Sequence, residues 1–260
     1  MRLFQQIGYR MASLVTPTQN PNALPLRQFK TGCTIAHVLG LTAVILVSVW
    51  MGAYGVGFEW EGNPAGMFRY HPMLMVIGLQ LLMGEAALTY RMLRYTRKSI
   101  TKPIHIALHT ITLVCFVLAL KAVFYSHNYM LPPVANMYSL HSWVGMSVVL
   151  LFCMQYAFGF YAFFYPKVVP STGEKMMPFH RLTGRLLLVA ATANALMGIS
   201  EYSAWNVKCW SQFCSEGMIA NFTGVLLLLY CAVVLYLLSK DSFKREPLPE
   251  EATFRDLASH

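Results

Sequence analysis

Charge is scarce in this sequence. Only 12% of its 260 residues are Asp, Glu, Lys or Arg, against about 25% in a soluble domain. Acidic residues are the scarcest, 11 against 20 basic ones, while 56% of the chain is hydrophobic. So small a polar complement cannot coat a soluble globule, and so large an apolar one excludes disorder. The segment Met1–Lys30 lacks the compact apolar stretch that precedes a signal-peptide cleavage site. Internal repeats and low-complexity tracts are also missing. A net charge of +9 does not by itself make a nucleic-acid binder; the placement of the basic residues decides what they do.

Long apolar runs are present instead. A bilayer crossing needs ~20 mostly apolar residues, and six runs qualify: Ile35–Tyr54, Pro72–Tyr90, Ile104–Phe124, Leu140–Phe164, Leu182–Ile199 and Met218–Leu238. They are continuous rather than alternating, so they read as helices, which satisfy their own backbone in lipid. The expected fold is an all-α membrane protein with six transmembrane helices over residues 35–238, between tails 1–34 and 239–260. Of the 20 basic residues, 17 fall on one side of such a layout. Only Arg69, Lys121 and Lys208 fall on the other. By the positive-inside rule both termini are cytoplasmic. The basic excess therefore reports topology in a lipid bilayer, with no nucleic acid implied; attraction of anionic lipid or an anionic substrate stays open. Aromatic residues at the run ends, such as Trp60, Tyr70, Tyr138, Trp143 and Trp205, form an interfacial belt.

Cys209 and Cys214 lie in the last outer loop, where their spacing allows a disulfide without requiring one. Cys33, Cys115, Cys153 and Cys231 sit in or beside helices as packing residues. The sequon Asn221-Phe222-Thr223 falls at the start of the sixth helix, too close to lipid for glycosylation.

Six of the eight histidines stand at helix starts: His37, His71, His105, His109, His141 and His180. Given the directions above, His71 and His141 lie in the outer leaflet, and His105 and His180 in the inner one. Two pairs result, one near each membrane face. Bis-imidazole haem needs such pairs, because one axial ligand must reach the iron on each side of the ring from facing helices. Two imidazoles fill the iron, so the site passes electrons and does not bind oxygen. Taken singly, each histidine reads more readily as a packed polar residue near the headgroups, and only the matched pairs bring the ligand reading level with it. His109 follows His105 by one turn, and hydropathy does not choose between them.

Several strings make the chain recognisable. Tyr70-His71-Pro72-Met73-Leu74-Met75, Lys102-Pro103-Ile104-His105, Asn136-Met137-Tyr138-Ser139-Leu140-His141-Ser142-Trp143-Val144-Gly145 and Met177-Pro178-Phe179-His180 resemble the cytochrome b561 family, the ascorbate-dependent transmembrane di-haem cytochromes. Ala195-Leu196-Met197-Gly198 and Glu216-Gly217 are also similar. The likeness spans roughly Gly40 to Lys244. It implies that helices two to five form a four-helix bundle around two haem b groups. It implies His71 with His141 as ligands of the outer haem iron, and His105, not His109, with His180 as ligands of the inner one. His37 has no ligand role in the family pattern.

The resemblance further implies single-electron transfer from cytoplasmic ascorbate to monodehydroascorbate or ferric iron, as a chelate, on the other side. Lys98 and Lys102 match basic residues that hold ascorbate, and a monoanion with several hydroxyls needs cations and donors. Arg91 matches an arginine near the inner haem and could pair a propionate. His127 and Tyr138 match positions lining the outer substrate site, where Asn128 could help. For the three cations the plainer reading is the topology signal; for His127 it is solvation. Dimerisation into a homodimer is a further expectation. The membrane, whether plasma, secretory-vesicle or endolysosomal, is not fixed by this topology.

The chain departs from the family pattern in three places. In Ser171-Thr172-Gly173-Glu174-Lys175, Lys175 stands in for an arginine that many members use for ascorbate, without the planar fork. Arg181 and Arg185 follow His180 where relatives are often apolar, and either contact propionates or snorkel. Glu85 lies inside helix two where relatives carry a neutral residue; it must be protonated, paired or facing water. Glu85 also keeps open a rival function, a histidine-lined metal or proton transporter without haem. A structural membrane subunit is the third reading.

Overall fold

The computed structural model describes residues 23–164 and 170–246. Among the described residues the structure is helical, without strands. The six long helices are α1 (Ala23–Ala53), α2 (Pro64–Met92), α3 (Lys98–Tyr129), α4 (Leu140–Phe163), α5 (Pro170–Asn206) and α6 (Ser215–Ser239). All six are long and apolar enough to cross a membrane. Most begin or end outside the apolar runs, because helix continues into polar residues that hydropathy does not register. Ser171–Lys175, expected as a loop, is already helical, so His180 and likewise His105 lie inside their helices and not at the starts.

The helix starts are set locally. Asn63 accepts hydrogen bonds from the amides of Ala65 (3.1 Å) and Gly66 (3.2 Å), with Pro64 at the first helical position. Ser139 and Ser142 form a reciprocal capping box at the start of α4. Helix α2 turns at Arg69 and widens to a π-helix over Val76–Leu82. Such a widening misaligns backbone carbonyls, which lipid cannot satisfy. Neighbouring side chains do so: Thr112 donates to the Gly78 carbonyl (3.2 Å) and Tyr230 to that of Leu81 (3.1 Å).

Helix α2 packs on α3, α4 on α5, and α1 on α6 outside them. Successive helices are antiparallel. At one end, here the near end, Lys240 meets Gln28 and Lys102 reaches the Phe163 carbonyl. At the far end, Lys121 pairs with Glu61 and Trp50 donates to Glu216. Cys209 and Cys214 form a disulfide at the far end. The sequon Asn221 lies within α6 and accepts from the Trp210 indole at 3.2 Å.

Candidate functional site

Four histidines face one another in two pairs, each across α2/α3 on one side and α4/α5 on the other. At the far end the rings of His71 and His141 have centroids 6.2 Å apart. At the near end those of His105 and His180 are 6.1 Å apart. Two metal–imidazole bonds of about 2 Å, plus two ring radii, put facing centroids ~6 Å apart. The spacing is thus that of two imidazoles with room for one metal between them.

Backbone carbonyls orient three of the rings. His71 Nδ1 donates to Ala119 (3.2 Å), His141 Nδ1 to Asn194 (3.0 Å) and His105 Nδ1 to Ala86 (2.7 Å). A carbonyl only accepts, so Nδ1 carries the proton and Nε2 keeps its lone pair for a metal. His180 is steadied through its backbone, whose carbonyl accepts from the Gln155 amide at 2.7 Å. A Cβ on Gly198 would stand 2.6 Å from the His141 ring; only glycine lets α5 approach that closely.

The register of α2 from His71 to Ala86 separates the two sites by roughly 20 Å along the helix axis. Aromatic side chains fill the space between. His109 lies 4.6 Å from His105, Phe152 lies 5.5 Å from His109, and Phe116 lies 5.5 Å from Phe152. His109 does not face His180 as His105 does, and its buried Nδ1 has no hydrogen-bond partner.

The far-end cavity, about 390 Å³, takes in both His71 and His141 and opens past His127, Asn136, Tyr138 and Trp205. His127 Nδ1 donates to Asn136 Oδ1 (3.2 Å), and Asn136 Nδ2 donates to Asn128 Oδ1 (2.7 Å). Tyr138 stacks on Trp205 at 6.1 Å. The structure therefore brings His127 and Tyr138 to one mouth and adds Asn136; Asn128 does not line the cavity and reaches it only through Asn136. Arg69 also lines this cavity, only 9% exposed. In the sequence it stands out only as a charge on the sparse side.

At the near end a hollow of about 200 Å³ touches His180, Gln155, Phe163 and Phe179. Lys98 and Lys102 lie one turn apart at the start of α3, and Lys175 is exposed near the start of α5. Lys102 donates to the Phe163 carbonyl at 3.1 Å, tying α3 to the end of α4. Arg91, the propionate candidate, donates to the carbonyls of Leu237 (2.8 Å), Leu238 (2.6 Å) and Lys240 (2.8 Å). It caps the C-terminus of α6, where cations are favoured. Arg185 Nε donates to the Arg181 carbonyl at 3.2 Å.

Glu85 is paired. Its Oε2 lies 3.0 Å from His37 Nε2, and His37 Nδ1 donates to the Cys33 carbonyl at 2.6 Å. With Nδ1–H committed, one further proton serves the Nε2–Oε2 contact, whichever atom holds it. Sequence alone does not show this partner, because it requires α1 to pack on α2.

The family model described as eukaryotic cytochrome b561 matches residues 70–206, from the helix turn before His71 to the end of α5. The chain belongs to the cytochrome b561 family. Members are haem b proteins. A Caenorhabditis elegans CYB561 homologue, named as a transmembrane ascorbate-dependent reductase, is 39% identical over 90% of this chain and 91% of its own. The Sus scrofa transmembrane ascorbate-dependent reductase CYB561 is 37% identical over 93% and 92%. The Arabidopsis thaliana transmembrane ascorbate ferrireductase 1 is 34% identical over 80% and 87%. The residues of this cytochrome b561 chain fit a haem at each end: facing imidazoles, Nε2 lone pairs freed by Nδ1 donation, and the glycine contact behind His141.

Proposed function

We propose that this protein carries single electrons across a membrane, from ascorbate at the near end to monodehydroascorbate or a ferric chelate at the far end. The two histidine pairs, matched in spacing and set at opposite ends of the bundle, carry this reading. His71 and His141 would hold one haem b iron, and His105 and His180 the other. Each haem, when bound, supplies a one-electron couple with no open iron position.

The protein's own residues do the rest. The carbonyls of Ala119, Asn194 and Ala86 fix the ring tautomers. The near end faces the cytoplasm on this reading, because it gathers most of the basic residues. The far-end disulfide agrees, since disulfides persist in oxidising compartments. Lys98, Lys102 and Lys175 attract the ascorbate monoanion; His127 and Tyr138 line the acceptor's entry, and Asn128 holds Asn136 beside them. The relatives named as ascorbate-dependent reductases and a ferrireductase support both the donor and the acceptor class. A metal transporter would instead need converging ligands, and among the described residues no three His, Cys, Asp or Glu side chains form a group able to hold a metal ion.

Purified protein should contain two b-type haems per chain, both reduced by ascorbate. Absorption spectra and a haem-to-protein ratio test this, and a colourless, well-folded protein overturns it.

A further inference from the structure

Arg69 is a buried cation without a counter-charge. It is 9% exposed, and among the described residues no ion pair reaches it. Its Nη1 is buried and has no hydrogen-bond partner. The surroundings hold the side chain in place. Gly55, at φ +76°, leaves room for Nη2, which a Cβ there would strike. The guanidinium carbon stands 5.6 Å from the Tyr202 ring centroid, and that ring stacks on Phe68 at 5.5 Å and meets Trp50 edge-on at 5.3 Å. Arg91, by contrast, has three carbonyls for its donors. An unpaired buried charge is costly, so a site built this firmly around one expects an anion.

The cavity indicates which anion. Arg69 lines the same cavity as His71 and His141 and precedes His71 on α2 by half a turn, towards the far end. Glu201 also lines the cavity, but no ion pair joins it to Arg69. A porphyrin between the two imidazoles brings two carboxylates, its only anionic edge, and a guanidinium fork matches a carboxylate. We infer that Arg69 is the anchor for a haem carboxylate at the far-end site and holds that site's reduction potential up. This rests on the reading that His71 and His141 bind haem. A positive charge close to the ring, in a cavity lined largely by apolar side chains, favours the state with one more electron. A small anionic acceptor entering past His127 offers similar chemistry but would have to reach behind the mouth residues.

The experiment is a spectroelectrochemical titration of the purified two-haem protein and of Arg69→Gln. At fixed ambient potential the reduced-to-oxidised ratio of the far-end haem should fall about tenfold, a shift of ~59 mV for one electron; the near-end haem should not move. Selective loss of the far-end haem, with the near-end spectrum intact, also supports the anchor. An unmoved far-end potential overturns it, and a raised KM for monodehydroascorbate without a potential change would reassign Arg69 to the acceptor. If Arg69→Gln does not accumulate, Arg69→Lys decides. Lysine keeps the charge but loses the fork, so that protein should lose far-end haem several-fold faster on dilution in detergent, and equal retention refutes the proposal. Wild-type protein with no haem on His71 and His141 would instead refute the underlying reading.

Discussion

At the far end, two imidazoles open onto one cavity of about 390 Å³ whose wall contains a buried cation. At the near end, a hollow of about 200 Å³ touches His180 but not His105, and basic residues such as Lys175 lie exposed. Ring spacing is almost the same, 6.2 Å against 6.1 Å. The facing-imidazole geometry is therefore common to both ends, and what differs is the burial of the charges around it. Exposed near-end charges act through water and are screened within about 8–10 Å at ordinary salt. A buried far-end charge is screened much less. On the proposed function, the near end gathers an anion from solution, and the far end tunes a site with a buried charge in its wall.

Removing a ligand tests the separateness of the ends most severely. His141→Ala should abolish one of the two haem signals and leave the other, and His180→Ala should do the reverse. Spectra that lost both haems in either variant would break the comparison. Gly198→Val probes enclosure without touching a ligand. The added atoms meet a His141 ring that the Asn194 carbonyl already holds, so far-end haem occupancy should fall by on the order of tenfold, with near-end occupancy unchanged, by haem-to-protein ratio.

The next effect is on stability. His37→Leu strands the Glu85 carboxyl, whose side chain is 14% exposed, and should cost ~1–3 kcal/mol. The double change His37→Leu with Glu85→Leu should recover much of that in thermal unfolding. Because Ala86 orients His105, any spectral change should appear at the near-end haem alone. The smallest effect is expected for Lys175→Met. Apparent KM for ascorbate should rise about two- to threefold at low ionic strength, and the difference should vanish at high salt. An unchanged KM would leave Lys175 with topology only.

The spans and the two-ended histidine pairing were legible because both follow from apolar runs and from the parity of helix direction, although parity left His105 and His109 open and only the family resemblance chose His105. The orienting groups were not, because the carbonyls of Ala86, Ala119 and Asn194 belong to the backbone, and no residue type announces them. Helix ends were hidden for a related reason: Lys98 and Thr172 continue helices with polar residues. Glu85 stood out as anomalous, but its answer lay on another helix. Arg91 and Arg69 show the limit best. As letters they are the same, and only packing shows one satisfied by the end of α6 and the other facing a cavity.

The π-helical stretch Val76–Leu82 bears on how this lineage can vary. A π-turn closes its hydrogen bond one residue later than an α-turn, so it takes up an extra residue for nearly the same rotation. His71 lies before the stretch and Ala86 after it. Deleting a single residue there, and so restoring a regular helix, would leave the Ala86 carbonyl near its present azimuth while His71 stayed put. The short segment thus acts as a slack link between the two ends, and evolution should tolerate a single-residue deletion there more readily than elsewhere in α2.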